Sequence, residues 1–426
     1  MKNYLMILTM IFVGFSVLHS ETIQIDLTPG YSVDVWYDFN GGVIKTEPTN
    51  NWDLAFQTNN QNAGILTNSH NGVKVWVVPD SHPDSWEMAI DTTGMAESWE
   101  EGFNSEESWS AGAVNLGKDG FVMDGDFGWG EYNMSTHGIT GNKLFVLLTK
   151  DKEYKRFMVE SLIAGTYTIR WAELDGTNEV MMSIAKKDYN SKLFTYLNVS
   201  SSEIIDREPA LDEWALLFGK YIGMVQMGPE PVPYGLTGVR TNPRFRTAEV
   251  RDVPVNDAQA PYLNADSYSF NITEIGSDWK SFNNTTFTYE IVEDLTYFVT
   301  SDLDGTPEPV IHKIVFKSFE GSASGLLTFD LNAPTNVEDV DIVNGLNVFP
   351  NVATAGTLIN IDYAASSYVS TIKIFDVSGR IVHEVENISR LSDSQINFRL
   401  PNLSAGTYFI GVIEQNFQKL GKIIVN

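Results

Sequence analysis

The stretch Trp52-Asp53-Leu54-Ala55-Phe56 decides the fold of this chain, because a closely similar stretch returns as Trp214-Ala215-Leu216-Leu217-Phe218. The two tryptophans are 162 positions apart, and the dipeptides Glu47-Pro48 and Glu208-Pro209 that precede them are 161 positions apart. Side chains two positions apart share one face of a strand, so each Trp-x-Leu-x-Phe pattern predicts three large side chains in the core of a β unit. We infer one structural unit that occurs twice.

The sequence around these stretches indicates an all-β protein. Runs of β-branched and aromatic residues such as Phe145–Leu148 and Tyr167–Trp171 are bounded by turn residues, whereas sustained helical periodicity is scarce. A second landmark also repeats, since Trp129-Gly130-Glu131-Tyr132-Asn133 corresponds to Trp279-Lys280-Ser281-Phe282-Asn283. The predicted organisation is a first antiparallel β unit over residues 21–188, a second over 189–333 and an acidic linker over 334–344.

The C-terminal segment has its own pattern. Short apolar and polar alternations are separated by turn residues, as in Ile372–Arg380 and Leu403–Val412, and the chain ends in Lys422-Ile423-Ile424-Val425-Asn426. This pattern predicts a small antiparallel β-sandwich over residues 345–426.

These motifs, together with Leu346-Asn347-Val348-Phe349-Pro350-Asn351 at the start of the segment, resemble the type A C-terminal sorting domain of the type IX secretion system. That system exports proteins across the outer membrane of Bacteroidetes-type bacteria. Val352 departs from the family, which usually has a proline at this position. The resemblance implies that the secretion machinery is a partner and that the protein is secreted or displayed at the outer cell surface.

The N-terminus and the composition agree with export. Lys2 precedes an apolar run from Tyr4 to Leu18, and Ser20 offers a cleavage point, which predicts a signal peptide over residues 1–20. No later stretch approaches the length of a transmembrane helix. The chain has no cysteine, which excludes disulfides, cysteine nucleophiles and thiolate haem ligands. Its net charge of −27 argues against a nucleic-acid partner, because phosphate binding rests on cationic side chains.

The repeated unit resembles the HmuY family, the secreted or surface-displayed haem-binding proteins of Bacteroidetes. Its members share a Trp-Asp-[Leu/Ile]-Ala-Phe strand, a Trp-x-x-Tyr stretch and a Gly-x-Tyr-Thr turn, which here are Trp52–Phe56, Trp129–Asn133 and Gly165–Thr168. The resemblance implies two tandem HmuY-like antiparallel β domains and haem or a related tetrapyrrole as ligand. The shared residues belong to the core and to turns, so they define a fold and not a ligand.

The resemblance also implies two axial side chains on the haem iron, usually two histidines and in some relatives methionines. Met134 and His137 lie together in the turn-like segment Tyr132–Gly138 and are the candidate haem ligands. Adjacent residues on one loop seldom reach opposite faces of a porphyrin, so at most one of the pair is expected to ligate. Met224 and Met227, in the proline-rich stretch 223–233, are weaker candidates.

The remaining chemistry-bearing residues do not indicate an enzyme. No catalytic motif for hydrolysis or phosphate binding is present, and Asp124-Gly125-Asp126 is better interpreted as a turn than as a metal site. The aromatic insert from Asp84 to Trp109 fits either a sugar-binding surface or, as we favour, a hydrophobic flap on the sheet. We therefore expect a secreted, non-enzymatic binding protein. The alternatives are a surface adhesion or interaction protein without haem, and a polysaccharide-binding protein.

Overall fold

The computed structural model describes residues 21–59, 61–116, 118, 120, 124–261, 267–301, 310–332, 347–362, 371–376, 380–385, 389–392, 395–414 and 417–426. The predicted signal peptide and the predicted linker lie outside these residues. The chain divides into a body, up to residue 335, and a C-terminal unit from residue 336. Both are built almost entirely from strands, which confirms the predicted all-β class.

The described residues of the body form 23 strands, one four-residue α-helix and five short 3-10 helices. The strands are Glu21–Asp26 (β1), Val33–Asp38 (β2), Gly42–Pro48 (β3), Leu54–Gln57 (β4), Ile65–Thr67 (β5), Lys74–Val77 (β6), Glu101–Gly102 (β7), Gly130–Asn133 (β8), Gly138–Gly141 (β9), Phe145–Leu148 (β10), Tyr154–Ile163 (β11), Thr166–Glu173 (β12), Val180–Ala185 (β13), Phe194–Asn198 (β14), Glu203–Ile205 (β15), Leu216–Gln226 (β16), Pro231–Thr241 (β17), Phe245–Arg251 (β18), Lys280–Asn283 (β19), Thr288–Ile291 (β20), Leu295–Ser301 (β21), Ile311–Phe319 (β22) and Leu326–Leu331 (β23). The helices are Met95–Ser98 (α1) and the 3-10 helices Ser69–Asn71, Pro83–Glu87, Ala113–Asn115, Lys186–Tyr189 and Gly321–Ala323.

Four of the sheets form two sandwiches. In the first sandwich, the sheet β13-β12-β11-β10-β6-β7, to which the hairpin β8–β9 is attached, packs on the sheet β15-β14-β4-β5 around one apolar core. In the second sandwich, the sheet β1-β23-β22-β21-β18 packs on the sheet β17-β16-β2-β3 around another. The hairpin β19–β20 is a separate two-stranded sheet whose Tyr289 and Ile291 pack against the second core.

The two halves of the body exchange their opening strands. Strand β2 pairs with β16 and places Trp36 opposite Leu217, while the corresponding strand β14 pairs with β4 and places Tyr196 opposite Ala55. The strand β1 likewise joins β23, and β13 joins β12. The first sandwich is therefore a continuous segment, and the second is completed by residues 21–48. Strand pairing thus crosses the boundary predicted at residue 188.

A third apolar cluster joins the two sandwiches through the sheets that contain β4 and β16. We call this cluster the seam. Strand β4 turns Leu54 and Phe56 into the first core and Ala55 into the seam, and β16 turns Leu217 into the seam in the same way. Because these strands are covered on both faces, they carry continuous apolar runs.

The position of the repeated tryptophans differs from the prediction. Trp52 and Trp214 are buried, but both lie in the seam and not with the Leu and Phe side chains of their own motifs. The reason is that β4 begins at Leu54 and β16 at Leu216, so the alternation of a strand does not extend back to the tryptophans. Equivalent amides hold both turns, since Asn68 donates to the Trp52 carbonyl and Asn242 to the Trp214 carbonyl, each at 2.8 Å.

The C-terminal unit is a small sandwich, as predicted. Its strands are Asn347–Phe349 (β24), Val352–Ala353 (β25), Leu358–Asp362 (β26), Thr371–Asp376 (β27), Ile381–Val385 (β28), Ser389–Ser392 (β29), Gln395–Arg399 (β30), Gly406–Glu414 (β31) and Phe417–Val425 (β32). The sheets β24-β26-β30-β29 and β25-β32-β31-β27-β28 enclose a core that includes Ile359, Ile374 and Ile423. The predicted turn at Ser378-Gly379 lies outside the described residues.

Candidate ligand-binding groove

The predicted haem ligands lie at the tip of the β8–β9 hairpin. Met134 is 82% exposed and His137 is also exposed, with a backbone φ of 52° that closes the turn. The His137 Nδ1 atom lies 3.0 Å from the Tyr132 hydroxyl, so the structure brings His137 to Tyr132 and leaves Met134 in solvent. None of these three residues lines a described cavity.

The β19–β20 hairpin repeats this turn in detail. The Asn133 side chain accepts hydrogen bonds from the next two turn amides, and the Asn283 side chain does the same. Phe287 takes the place of His137, with a φ of 56°, and Phe282 takes the place of Tyr132. The aromatic pair therefore belongs to the turn architecture of both hairpins.

The two hairpins differ in the strands that lie beside them. Strand β16 pairs with β2 only over Leu216–Phe218, and the rest of β16 and β17 continues as a two-stranded ribbon, which we call the arm. The corresponding strands β4 and β5 have four and three residues and form no such ribbon.

The proline-rich stretch from Gly223 to Pro233, whose composition predicts a loop, instead contributes to the two strands of the arm. Strand β16 continues to Gln226 and β17 begins at Pro231. Strand β17 lies at the edge of its sheet, where a proline leaves no ladder hydrogen bond unmade on the open side.

A groove of about 1080 Å³ lies between the arm, the β19–β20 hairpin and the turn at residues 319–323. Its lining is mainly aromatic and apolar: Tyr31, Val225, Met227, Tyr234, Leu236, Phe282, Phe287, Tyr289 and Phe319. Phe287 is 77% exposed and Tyr234 is 50% exposed, so large parts of both rings are free to contact a ligand. Concave sites of this size, lined by rings and a few polar groups, are typical of ligand pockets.

Two residues fix the base of the groove. A Cβ atom on Gly238 would lie 2.2 Å from the Gly276 carbonyl oxygen, so glycine permits the close approach of the turn at residues 276–278 to the arm. Lys280 Nζ donates to the carbonyl oxygens of Thr237, at 2.6 Å, and Ser277, at 3.3 Å. The hairpin is thus tied to the arm at one end, and the groove opens at the other.

The charges of the groove are partly compensated by neighbouring groups. Burial lowers the pKa of Lys280 to about 7, and its ammonium lies over the Trp279 ring at 4.1 Å. Asp278 pairs with Arg251 at 2.6 Å. Glu320 accepts a hydrogen bond from Ser324. The groove therefore presents rings with a modest polar rim.

The histidines of the body lie outside the groove, as far as the described residues show. His312 stacks on Phe39 with a centroid distance of 4.0 Å, so its ring is used in packing. His82 caps a 3-10 helix through Asp84, and His70 lies at the seam. Among the described residues, no group of three or more His, Asp or Glu side chains could hold a metal ion.

The aromatic insert is a flap, as we favoured. Trp86 and Met95 are buried against the outer face of the eight-stranded sheet, and Trp109 is buried in the seam. Arg156 donates to the Trp86 carbonyl and stacks on its ring at 5.5 Å. Trp86, Met95 and Trp109 are therefore used in packing.

The groove residues Tyr234, Phe282 and Phe287 were not identified from the sequence. Phe282 stands in the repeated Trp-x-x-aromatic landmark, where it was counted as a fold residue. Strand β17 does alternate Val232, Tyr234 and Leu236, but its prolines concealed the strand. The alternation of these apolar side chains between the prolines was the sequence pattern that could have indicated the strand.

Comparison with known proteins identifies the C-terminal unit. Residues 347–426 match the family described as the secretion system C-terminal sorting domain. The protein is therefore exported by type IX secretion to the cell surface or the extracellular space, and the secretion machinery is its partner. In the part of the chain that the structure describes, no helix is both long and apolar enough to cross a bilayer.

Several solved proteins have remote structural similarity to this chain. A chimeric titin Z1Z2-Z1Z2 tandem shares 12% identity over 44% of this chain and 88% of its own, with a TM-score of 0.17. PorZ, a surface component of the type IX secretion system of Porphyromonas gingivalis, shares 13% identity over 69% of this chain and 44% of its own, with a TM-score of 0.15. The BSP domain of a biofilm-associated protein shares 10% identity over 88% of this chain and 80% of its own, with a TM-score of 0.16. No curated protein sequence matches the chain.

Proposed function

We propose that the exported protein is a non-enzymatic binding protein of the HmuY-like type, and that the groove beside the arm binds a flat, largely apolar ligand of the tetrapyrrole class. One observation carries the proposal: exposed rings from the arm and from the β19–β20 hairpin line a single cavity without forming a protein core. An aromatic ring buried against another contributes about 0.5–1.5 kcal/mol beyond the area it covers.

The lining of the groove favours contacts with the porphyrin ring over ligation of a porphyrin-bound metal. No described histidine lines it, and its metal-binding groups are the Met227 thioether, the hydroxyls of Tyr31, Tyr234 and Tyr289, and the carboxylates of Asp278 and Glu320, which already have partners. A porphyrin held by stacking binds with or without iron. Haem and iron-free protoporphyrin are therefore expected to bind with similar affinity.

The test is a titration of the mature chain with hemin and, separately, with protoporphyrin. Both porphyrins should bind, and Tyr234→Ala or Phe282→Ala should weaken each affinity by about tenfold, because each variant removes one stacked ring. The repeat provides a matched control, since Tyr132 occupies the position of Phe282 on the open hairpin. Tyr132→Ala should leave both affinities unchanged.

The same titration tests the turn ligands predicted from the sequence. Binding that survives the groove variants but is lost in His137→Ala or Met134→Ala would place the site on the β8–β9 turn. An absence of porphyrin binding in the parent protein would overturn the proposal and favour a surface interaction protein. Hemin binding without protoporphyrin binding would show that iron ligation dominates.

A further inference from the structure

A second cavity, separate from the groove, lies in the seam between the two sandwiches. Its volume is about 40 Å³, which is space for two or three water-sized groups. The first sandwich and its insert contribute Trp52, His70 and Trp109 to the wall, and the second sandwich contributes Tyr221 and Arg240. A ligand in this cavity would contact both sandwiches.

The first unusual feature of the cavity is an arginine without a counter-ion. Arg240 lies opposite Leu217 in the β16–β17 register, in the row that continues into the seam. Its guanidinium carbon is 4.9 Å from the Trp109 ring centroid and 5.8 Å from the Tyr221 ring centroid. Within the described part of the chain, Arg240 forms neither an ion pair nor a hydrogen bond. Burial lowers its pKa, yet an arginine stays charged.

Arg207, the other arginine of the seam, has a carboxylate partner of the kind that Arg240 lacks. Arg207 is fully buried and also stacks on rings, with its guanidinium carbon 5.3 Å from the Trp36 centroid and 5.6 Å from the Trp52 centroid. In contrast to Arg240, it donates to the Asp34 carboxylate at 2.9 Å. Arg240 is half-buried and lacks the partner that Arg207 has, so its guanidinium is open to a ligand in the cavity.

The second unusual feature is an unused imidazole nitrogen. His70 Nε2 is buried and has no hydrogen-bond partner among the described residues. Burial lowers the pKa of His70 to about 3, so the ring is neutral at physiological pH and its Nε2 can carry a proton to donate. The Thr67 and Ser69 hydroxyls beside it bond to each other at 2.8 Å.

The other charged groups near His70 and Arg240 leave a positive balance. Lys220 adds to the two arginines, while Asp34 is committed to Arg207. Glu106, which also lines the cavity, accepts a hydrogen bond from the Met224 amide at 2.7 Å. With Arg240 included, three cations and two carboxylates lie near this site, and of these Arg240 and Glu106 line the cavity.

We propose that this seam cavity binds a small carboxylate of the size of formate or acetate. The planar guanidinium of Arg240 matches a carboxylate geometrically, and the His70 Nε2–H donates to one of the same oxygens. The anion neutralises Arg240 and bridges the two sandwiches. Because the cavity exists only where the seam is assembled, binding stabilises the folded body. This site is independent of the groove and of its ligand.

The experiment follows thermal unfolding of the mature chain while sodium formate is raised to about 50 mM, since a ligand specific to the folded state raises the midpoint with concentration. Formate should raise the midpoint in a saturable manner. Arg240→Met should abolish the response or weaken the apparent affinity at least tenfold, and His70→Phe should weaken it. Lys317→Met removes an exposed cation outside the cavity and should preserve the full response.

A second measurement detects formate binding directly and does not depend on thermal unfolding, in case a variant fails to fold. Exchange broadening of the ¹³C-formate signal by the parent protein reports binding directly, and Arg240→Lys, which keeps the charge but loses the planar fork, should reduce the broadening. No saturable midpoint shift and no broadening in the parent protein would overturn the proposal. An equal midpoint shift in the parent and in Arg240→Met would also overturn it, because the shift would then be an ionic-strength effect.

Discussion

The two hairpins β8–β9 and β19–β20 share one turn and differ in what stands beside them. Both use an asparagine to hold two turn amides, and both end in a residue with a φ between 50° and 60°, His137 in one and Phe287 in the other. The first hairpin faces solvent, whereas the second faces the arm across the groove. The repeated residues maintain the fold, and the groove arises in the second copy, where strands β16 and β17 are extended into the arm.

The seam shows how the two copies of the repeat are joined. Trp52 and Trp214 come from different copies but lie in one apolar cluster, so the features that the copies share also hold them together. Trp129 and Trp279, by contrast, remain in separate cores. The body is thus a repeat whose two parts are joined by exchanged strands and by a common cluster.

The largest expected effect comes from breaking the seam. Trp52→Ala or Trp214→Ala should cost about 3–5 kcal/mol, because each leaves a cavity in a buried cluster. Both sandwiches should lose stability in either variant, and the double variant should cost less than the two single costs combined, since the residues share neighbours. Calorimetry with both transitions resolved would measure this.

Trp279→Ala is the matched control for the seam variants. It removes an equally buried ring from the second core alone, so the transition of the first sandwich should stay close to that of the parent protein. If Trp214→Ala also left the first sandwich unaffected, the seam would not couple the two copies.

The second prediction concerns the Glu-Pro pairs, which look equivalent in sequence. Glu47 is partly exposed and pairs with Lys45, while Glu208 is buried and accepts hydrogen bonds from the amides of Leu193 and Phe194 and from the Tyr196 hydroxyl. Burial raises the pKa of Glu208 to about 7, against the opposing effect of those hydrogen bonds.

A carboxyl whose pKa is raised by folding holds its proton in the folded state at a pH where the unfolded chain has lost it. The contribution of Glu208 to stability is therefore fully present below about pH 4.5, falls by up to about 3 kcal/mol between about pH 4.5 and 7, and is constant above that range. Glu208→Gln should remove this slope, whereas Glu47→Gln should leave it unchanged. Denaturant unfolding at a series of pH values measures the difference, and parallel curves for parent and Glu208→Gln would contradict it.

The sequence was sufficient for the fold class because alternation and turn residues are local properties. Strands β4 and β16, the turn at Asn133 and the C-terminal sandwich all follow from short segments. The sequence was not sufficient to predict which strands pair with each other. Strands β2 and β14 carry similar signals, so nothing local distinguishes pairing within a copy from exchange between copies.

The groove was less predictable than the fold for a physical reason. Tyr234 and Phe287 are more than fifty positions apart, and their proximity depends on the length of the arm and on the close approach at Gly238. Prolines in β17 concealed the arm, because proline usually argues against a strand and is tolerated here only at a sheet edge. The occurrence of Met134 and His137 in one turn pointed to His137, whose ring already contacts the Tyr132 hydroxyl within that turn.

The third prediction tests the base of the groove. Gly238→Ala should cost about 2 kcal/mol and weaken porphyrin binding, because the new methyl group must displace the Gly276 carbonyl oxygen that lies 2.2 Å away. Gly235→Ala, on the same strand, meets no atom within 4 Å and is the control for stability. Denaturant unfolding should separate the two variants, and porphyrin titration should show weaker binding by Gly238→Ala than by the parent protein. Unchanged stability and binding in Gly238→Ala would show that the approach at Gly238 does not position the hairpin.

The smallest expected effect compares the two turns directly. Asn133→Ala and Asn283→Ala each remove the acceptor of two turn amides, so each should cost about 1 kcal/mol locally and reduce the hydrogen-exchange protection of the amides that follow by about fivefold. The additional hydrogen bond from Asn283 to Glu290 is exposed and should change this little. Porphyrin should restore protection only at the β19–β20 turn, since only that hairpin lines the groove. Restored protection at the β8–β9 turn instead would mean that the extended copy is not the binding copy.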